Sequence, residues 1–172
     1  MQIFFPKEEG TEIRATILPE VAKKFIDLGI EVVIESEIGS KIFLSDDLYL
    51  QVGAAVSTDR SKSLSTADII CRINKPKMEE VAILKKNAIH VSFLDPFNEI
   101  ELVNEFARAS ISAISMELVP RITRAQKMDA LSSQANLAGY VMVIMAAQKL
   151  DRILPMMMTP AGTLSPAKVF VI

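Results

Sequence analysis

The sequence predicts an α/β fold: a parallel sheet with helices on both faces, followed by one long apolar helix. Three observations carry this. Short apolar runs, largely β-branched, alternate with helix-patterned segments about every 20 to 25 residues as far as Ile114, the rhythm of βαβ units. Half of the 172 residues are hydrophobic and 23 % are charged, which supplies a core and excludes disorder. The stretch from Met128 to Gln148 holds a single charged residue, Asp129.

The elements follow in order. Gln2 to Phe5 is an apolar run ended by Pro6 and reads as the first strand. Pro19 to Leu28 is a helix: Pro suits the first turn, Val21, Phe25 and Leu28 share a face, and Gly29 follows at the end. Glu31 to Ile34 is a second strand, and Asp46 to Val52 a short helix or turn with Ser45 placed to cap it. Ile69 to Ile73 is a buried strand stopped by Lys75 and Pro76. Met78 to Lys85 is a short helix, Ile89 to Leu94 a strand, Asn98 to Ala107 an amphipathic helix, and Ile111 to Ile114 a further strand. Pro120 to Lys127 is a polar, basic loop. The helix from Met128 to Gln148 is apolar on nearly all sides, so burial by a second domain or subunit is expected. Met156 to Pro166 reads as a loop, and Lys168 to Ile172 as the start of a strand with no element after it. The expectation is a chain that stops inside a domain.

Composition narrows the chemistry. Cys71 is the one cysteine and His90 the one histidine, which excludes a disulfide framework, a cysteine zinc cluster and a histidine-rich metal site. No metal is expected. A net charge of −2 argues against nucleic acid as a partner. No signal peptide is visible, and the longest unbroken apolar run, Leu137 to Ala147, is about half of what a spanning helix needs. The charge is uneven: residues 1–105 carry 12 basic and 18 acidic side chains, whereas residues 106–172 carry 7 and 3. Arg121, Arg124 and Lys127 concentrate the positive part, either as a solvated loop or as a site for a phosphate or an acidic partner.

The segment Pro120-Arg-Ile-Thr-Arg-Ala-Gln-Lys-Met-Asp-Ala-Leu-Ser-Ser-Gln-Ala-Asn-Leu-Ala-Gly-Tyr140 resembles the Arg-Ala-Gln loop and following helix of the NAD-binding alpha subunits of proton-translocating transhydrogenases. Other pieces agree in order. Phe5-Pro-Lys-Glu8, with Glu12-Ile-Arg14 and Pro19-Glu20, resembles the opening of the wider alanine dehydrogenase/transhydrogenase family. Asp68-Ile-Ile-Cys-Arg-Ile-Asn-Lys-Pro76 resembles its lysine-bearing strand end, and Pro166 to Ile172 the strand before its glycine-rich fingerprint. The fingerprint itself is absent.

The resemblance implies a Rossmann-like N-terminal α/β domain over 1–127. Residues 128–172 then hold an interdomain helix, a loop and the first strand of a truncated dinucleotide-binding domain. It implies NAD(H) on this subunit, held near its nicotinamide by Arg121, Gln126, the backbone of Lys127, Met128, Asp129 and Ser132. NADP(H) then sits on a partner subunit or domain. It implies a homodimer, membrane-spanning partner subunits, and a cytoplasmic place on the inner face of the membrane. Hydride transfer between two nicotinamides needs no acid–base residue. Consistent with that, Asp95 stands where alanine dehydrogenases carry a catalytic histidine. Two alternatives stay open: an alanine-dehydrogenase-like oxidoreductase, in which Arg14 and Lys75 would hold a substrate carboxylate, and a non-catalytic docking domain. Outside the motif, Gln126 reads as an exposed loop residue, Asp129 as a helix cap, His90 as a core residue, Cys71 as a buried thiol, Arg14 as a partner of Glu12 or Glu8, and Lys75 as a surface lysine.

Overall fold

The computed structural model describes residues 1–171, which divide into two compact units, Met1–Met128 and the residues from Asp129 on. The first unit is a six-stranded sheet: β1 (Gln2–Phe5), β2 (Glu31–Glu35), β3 (Ala55–Ser57), β4 (Ile69–Cys71), β5 (Ile89–Ser92) and β6 (Ser112–Ser115). The strand order is β3-β2-β1-β4-β5-β6 and every pair is parallel, the doubly wound Rossmann-like arrangement. The connecting helices are α1 (Pro19–Asp27), α2 (Asp46–Gln51), α3 (Arg60–Thr66), α4 (Met78–Ile83) and α5 (Ile100–Arg108).

A strand buried on both faces needs apolar residues at consecutive positions. Ile3-Phe4-Phe5 and Val32-Val33-Ile34 supply them. Phe4, Val33 and Ile70 face Leu64, Val81, Leu102 and Phe106 on one side. Ile3, Phe5, Val32 and Ile34 face Ala22, Ile38 and Tyr49 on the other. The Tyr49 hydroxyl, fully buried, donates to the Ile17 carbonyl at 2.8 Å, so its polar end is satisfied.

The β3 strand and the α3 helix are additions to the sequence reading. β3 has three residues and is half-exposed at the sheet edge, too short to show alternation. α3 (Arg-Ser-Lys-Ser-Leu-Ser-Thr) has one buried large apolar residue, Leu64, and starts because Asp59 caps it, its carboxylate accepting from Lys62 N at 2.9 Å. Ser45, by contrast, makes no side-chain cap for α2. The loop after β6 also differs from expectation: Thr123–Met128 winds into a short 3-10 helix.

The second unit holds α6 (Ala130–Lys149) and an antiparallel hairpin of β7 (Met157–Thr159) and β8 (Gly162–Leu164). The hairpin replaces the expected loop. Pro160 and Ala161 make its turn, and Gly162 accepts a φ of 134° that a side chain would resist. The strand expected over Lys168 to Ile172 does not form in residues 168–171, with which no strand pairs among the described residues; Ile172 lies outside them.

Candidate cofactor loop

The loop after β6 is fixed by one small anchor. Ala125 is buried, its N–H donates to the Ile122 carbonyl at 2.9 Å, and Ile122 N donates to the Pro120 carbonyl at 2.9 Å. That pins the backbone and turns the neighbours outward. Arg121, Arg124, Gln126, Lys127 and Met128 are all exposed. None of Arg121, Gln126 and Lys127 has a side-chain hydrogen bond or ion pair among the described residues, so their donors face solvent. A primary amide that both donates and accepts, flanked by cations, suits a carboxamide and an anionic ligand.

Within the second unit, Asp129 caps α6. Its Oδ1 accepts from Ser132 N at 2.9 Å, its Oδ2 from the Ser132 hydroxyl at 2.6 Å, and its carbonyl from the Ser133 hydroxyl at 3.0 Å. The cap fixes Ser132 with its hydroxyl proton spent on Asp129, leaving the oxygen free to accept.

A doubly wound sheet usually takes an anion in the crevice where strand order reverses, here between β1 and β4. In this chain its own carboxylates fill that place. Buried Glu8 accepts from Ile73 N at 2.6 Å, Asn74 N at 3.2 Å, Asn74 Nδ2 at 3.0 Å and the Thr16 hydroxyl at 3.3 Å. Glu35 accepts from Lys7 N at 2.8 Å and from Arg60 at 2.6 Å. Glu80 bridges Arg60 at 2.7 Å and Arg72 at 2.6 Å. Burial raises the Glu80 pKa, but Arg72 and Arg60 outweigh it and hold the carboxyl down at about 2. This network is invisible in the sequence, because its partners lie 8 to 66 residues apart with no periodic signal.

The substrate-carboxylate cations of the alternative reading are also occupied. Arg14 meets Glu12 through Nε at 2.8 Å and Nη2 at 2.6 Å, and this pairing holds Glu12 at about 2. Lys75 is paired with Glu99 at 2.5 Å. Asp95 is a turn residue: with φ at 52° it accepts from Asn98 Nδ2 at 2.8 Å, while its N–H donates to Glu117. His90 is a core residue, and Cys71 is a half-buried thiol pushed up to about 11 by burial and by Glu8.

The apolar surface of α6 is left uncovered. No residue of it is buried, and Leu137, Tyr140, Val141, Met142, Val143, Ile144 and Met145 are each at least half exposed. At 20 residues it is long and apolar enough to cross a membrane by length and composition, which the unbroken apolar run alone did not show. The same composition suits a helix enclosed by a larger fold.

The family described as alanine dehydrogenase/PNT, N-terminal domain, matches residues 4–138. An NAD(P) transhydrogenase subunit alpha chain of Rhodospirillum rubrum is 41 % identical over 99 % of this chain and 46 % of its own length. A transhydrogenase crystal structure from Sinorhizobium meliloti superposes with a TM-score of 0.86 and 42 % identity, covering 97 % of this chain and 50 % of that one. Alanine dehydrogenase 1 of Staphylococcus aureus is 29 % identical over 79 % of this chain and 35 % of its own length. The chain thus spans about half the length of these two transhydrogenase relatives.

Proposed function

This chain belongs to the alanine dehydrogenase/PNT family as its N-terminal domain, and from that premise we propose that it is a portion of the NAD(H)-binding subunit of a transhydrogenase. The relatives support a transhydrogenase component and a nicotinamide cofactor. The finer reading is that hydride passes between NAD(H) held here and NADP(H) held by a partner, coupled to proton movement across a membrane. The cofactors supply the reactive carbons. On this reading the residues that position the NAD nicotinamide are Gln126 through its amide, Arg121 as a cation, Lys127 through its backbone, Met128, Ser132, and Asp129 by fixing Ser132. Residues 128–172 are read as an interdomain helix, a loop and the entry to a dinucleotide-binding domain, and α6 as a helix covered by the rest of the assembly, a homodimer included. The location that follows is the cytoplasmic face of the membrane, through membrane-spanning partners.

The observation that carries this reading is the contrast between the two sets of side chains. Arg14 and Lys75 are neutralised by Glu12 and Glu99, whereas Arg121 and the amide of Gln126 have no side-chain partner among the described residues. An amino-acid dehydrogenase needs the first set free and an acid–base group near the imine; Asp95 is instead tied into a turn. The test is Gln126→Asn in the assembled enzyme. The amide withdraws by about one carbon–carbon bond, and a misplacement near 1 Å costs on the order of 100-fold in transfer. Single-turnover hydride transfer to an NADP analogue falls by that factor while the NADH dissociation constant stays nearly constant. Equal changes in both overturn the positioning role, and NADH oxidation by pyruvate and ammonia overturns the transhydrogenase reading.

A further inference from the structure

On the face of the sheet beneath α4 and α5 lies a row of polar groups that the proposed cofactor chemistry does not use. Ile70 of β4 pairs in register with His90 of β5, and Arg72 N donates to the Val91 carbonyl at 3.0 Å. Alternation along parallel strands therefore puts Arg72, His90 and Ser92 on the same face as Ile70. That face is the apolar cluster of Phe4, Val81, Leu102 and Phe106. The His90 ring lies 5.1 Å from the Phe106 ring. His90 is 1 % exposed, Ser92 is fully buried and Arg72 is 6 % exposed.

Each of these side chains carries polar atoms without a hydrogen-bond partner among the described residues: both ring nitrogens of His90, the Ser92 hydroxyl and Arg72 Nε. A buried polar group left unmatched costs on the order of 1–3 kcal/mol, and one such row would offset much of a small domain's stability. The groups are complementary: Arg72 Nε–H only donates, a neutral imidazole donates once and accepts once, and a hydroxyl does both. Buried water satisfies such groups, usually with about three hydrogen bonds each.

We propose that Arg72, His90 and Ser92 form an internal hydration site of one or two waters between the sheet and helices α4 and α5, and that this water holds His90 as one fixed tautomer. The water accepts from Arg72 Nε–H and donates to a ring nitrogen of His90, with Ser92 as its further partner. The charged groups around the ring agree with a neutral imidazole. Arg72, just past β4, repels a second positive charge and Glu80 of α4 is spent on Arg72 and Arg60, while α5 turns the apolar Leu102 and Phe106 to this cluster.

His90 is the single histidine, so nitrogen-15 labelling of histidine reports this site alone. In the 172-residue chain, long-range proton–nitrogen correlations show one neutral tautomer from pH 8 to pH 5, and the ring protons show cross-relaxation to a long-lived water. Ser92→Ala removes a water partner, so it weakens that cross-relaxation and mixes the tautomers. Val81→Ala, in the same cluster, leaves both unchanged. Should Ser92→Ala fail to fold, the native-chain cross-relaxation decides by itself. A ring without water contact, or an even tautomer mixture in the native chain, overturns the proposal; so does a Ser92→Ala spectrum identical to the native one.

Discussion

The two units solve the same problem in opposite ways. Both are rich in apolar residues, yet all of the buried core among the described residues, from Ile3 to Ala125, belongs to residues 1–128. The second unit leaves its longest helix bare on every side. The difference lies in patterning. In the first unit, apolar residues come in runs matched to a sheet covered on both faces. In α6 they are spread around the helix, so no single face can be turned inward. The first unit specifies its own fold, and the second presents an apolar surface that the described residues leave exposed.

The sharpest way to break this comparison is to separate the units. Residues 1–128 alone are expected to melt in one cooperative transition close to that of the whole chain, whereas residues 129–172 alone show no cooperative transition. Calorimetry of both pieces checks this, and a loss of cooperativity in 1–128 would show that its core depends on the rest.

A smaller test probes the self-filled crevice of the first unit. Glu80→Gln leaves Arg60 and Arg72 facing each other across a buried site where the side chain of Arg72 is only 4 % exposed. Breaking a buried pair from one side costs about 3–5 kcal/mol, measurable by urea unfolding. A change below about 1 kcal/mol would mean that the network is solvated like a surface pair.

Acid titration separates the units by another property. Burial, then the Arg72 charge, pushes the His90 pKa from 6.5 down to about 3. The unfolded chain therefore binds a proton that the folded chain refuses. That contribution to stability is complete above pH 6.5 and is lost as the pH falls from 6.5 towards 3. Between pH 7 and pH 5 the loss amounts to about 2 kcal/mol. His90→Gln is expected to flatten that slope, as read from urea midpoints at each pH. The Glu80 carboxyl acts in the same direction but lower, between its ordinary 4.5 and about 2.

The mildest change lies at the start of α6. Asp129→Ala removes the cap on Ser132 N, worth about 1 kcal/mol. Faster amide exchange in the first turn of α6 is the expected reading.

Much of the fold was legible because runs such as Phe4-Phe5 and Val32-Val33-Ile34 leave little choice but a buried strand. β3 and α3 were not, since a three-residue edge strand and a serine-rich helix held by the Asp59 cap carry no periodicity. The hairpin at Met157 to Leu164 was hidden behind Pro160, which reads as a breaker until it is placed in the turn. The residues of the proposed site came from the motif around Gln126. The carboxylates that close off the crevice came only from three-dimensional proximity: Glu8 meets Asn74 across 66 residues.

That closure has a bearing on what the crevice can accept. An open crevice at the β1–β4 junction would offer its backbone amides to a phosphate. With Glu8 already holding the Ile73 and Asn74 amides, a phosphate arriving there meets a carboxylate and finds those donors taken. The sheet keeps the topology of a nucleotide binder, with its crevice already occupied by a side chain of its own.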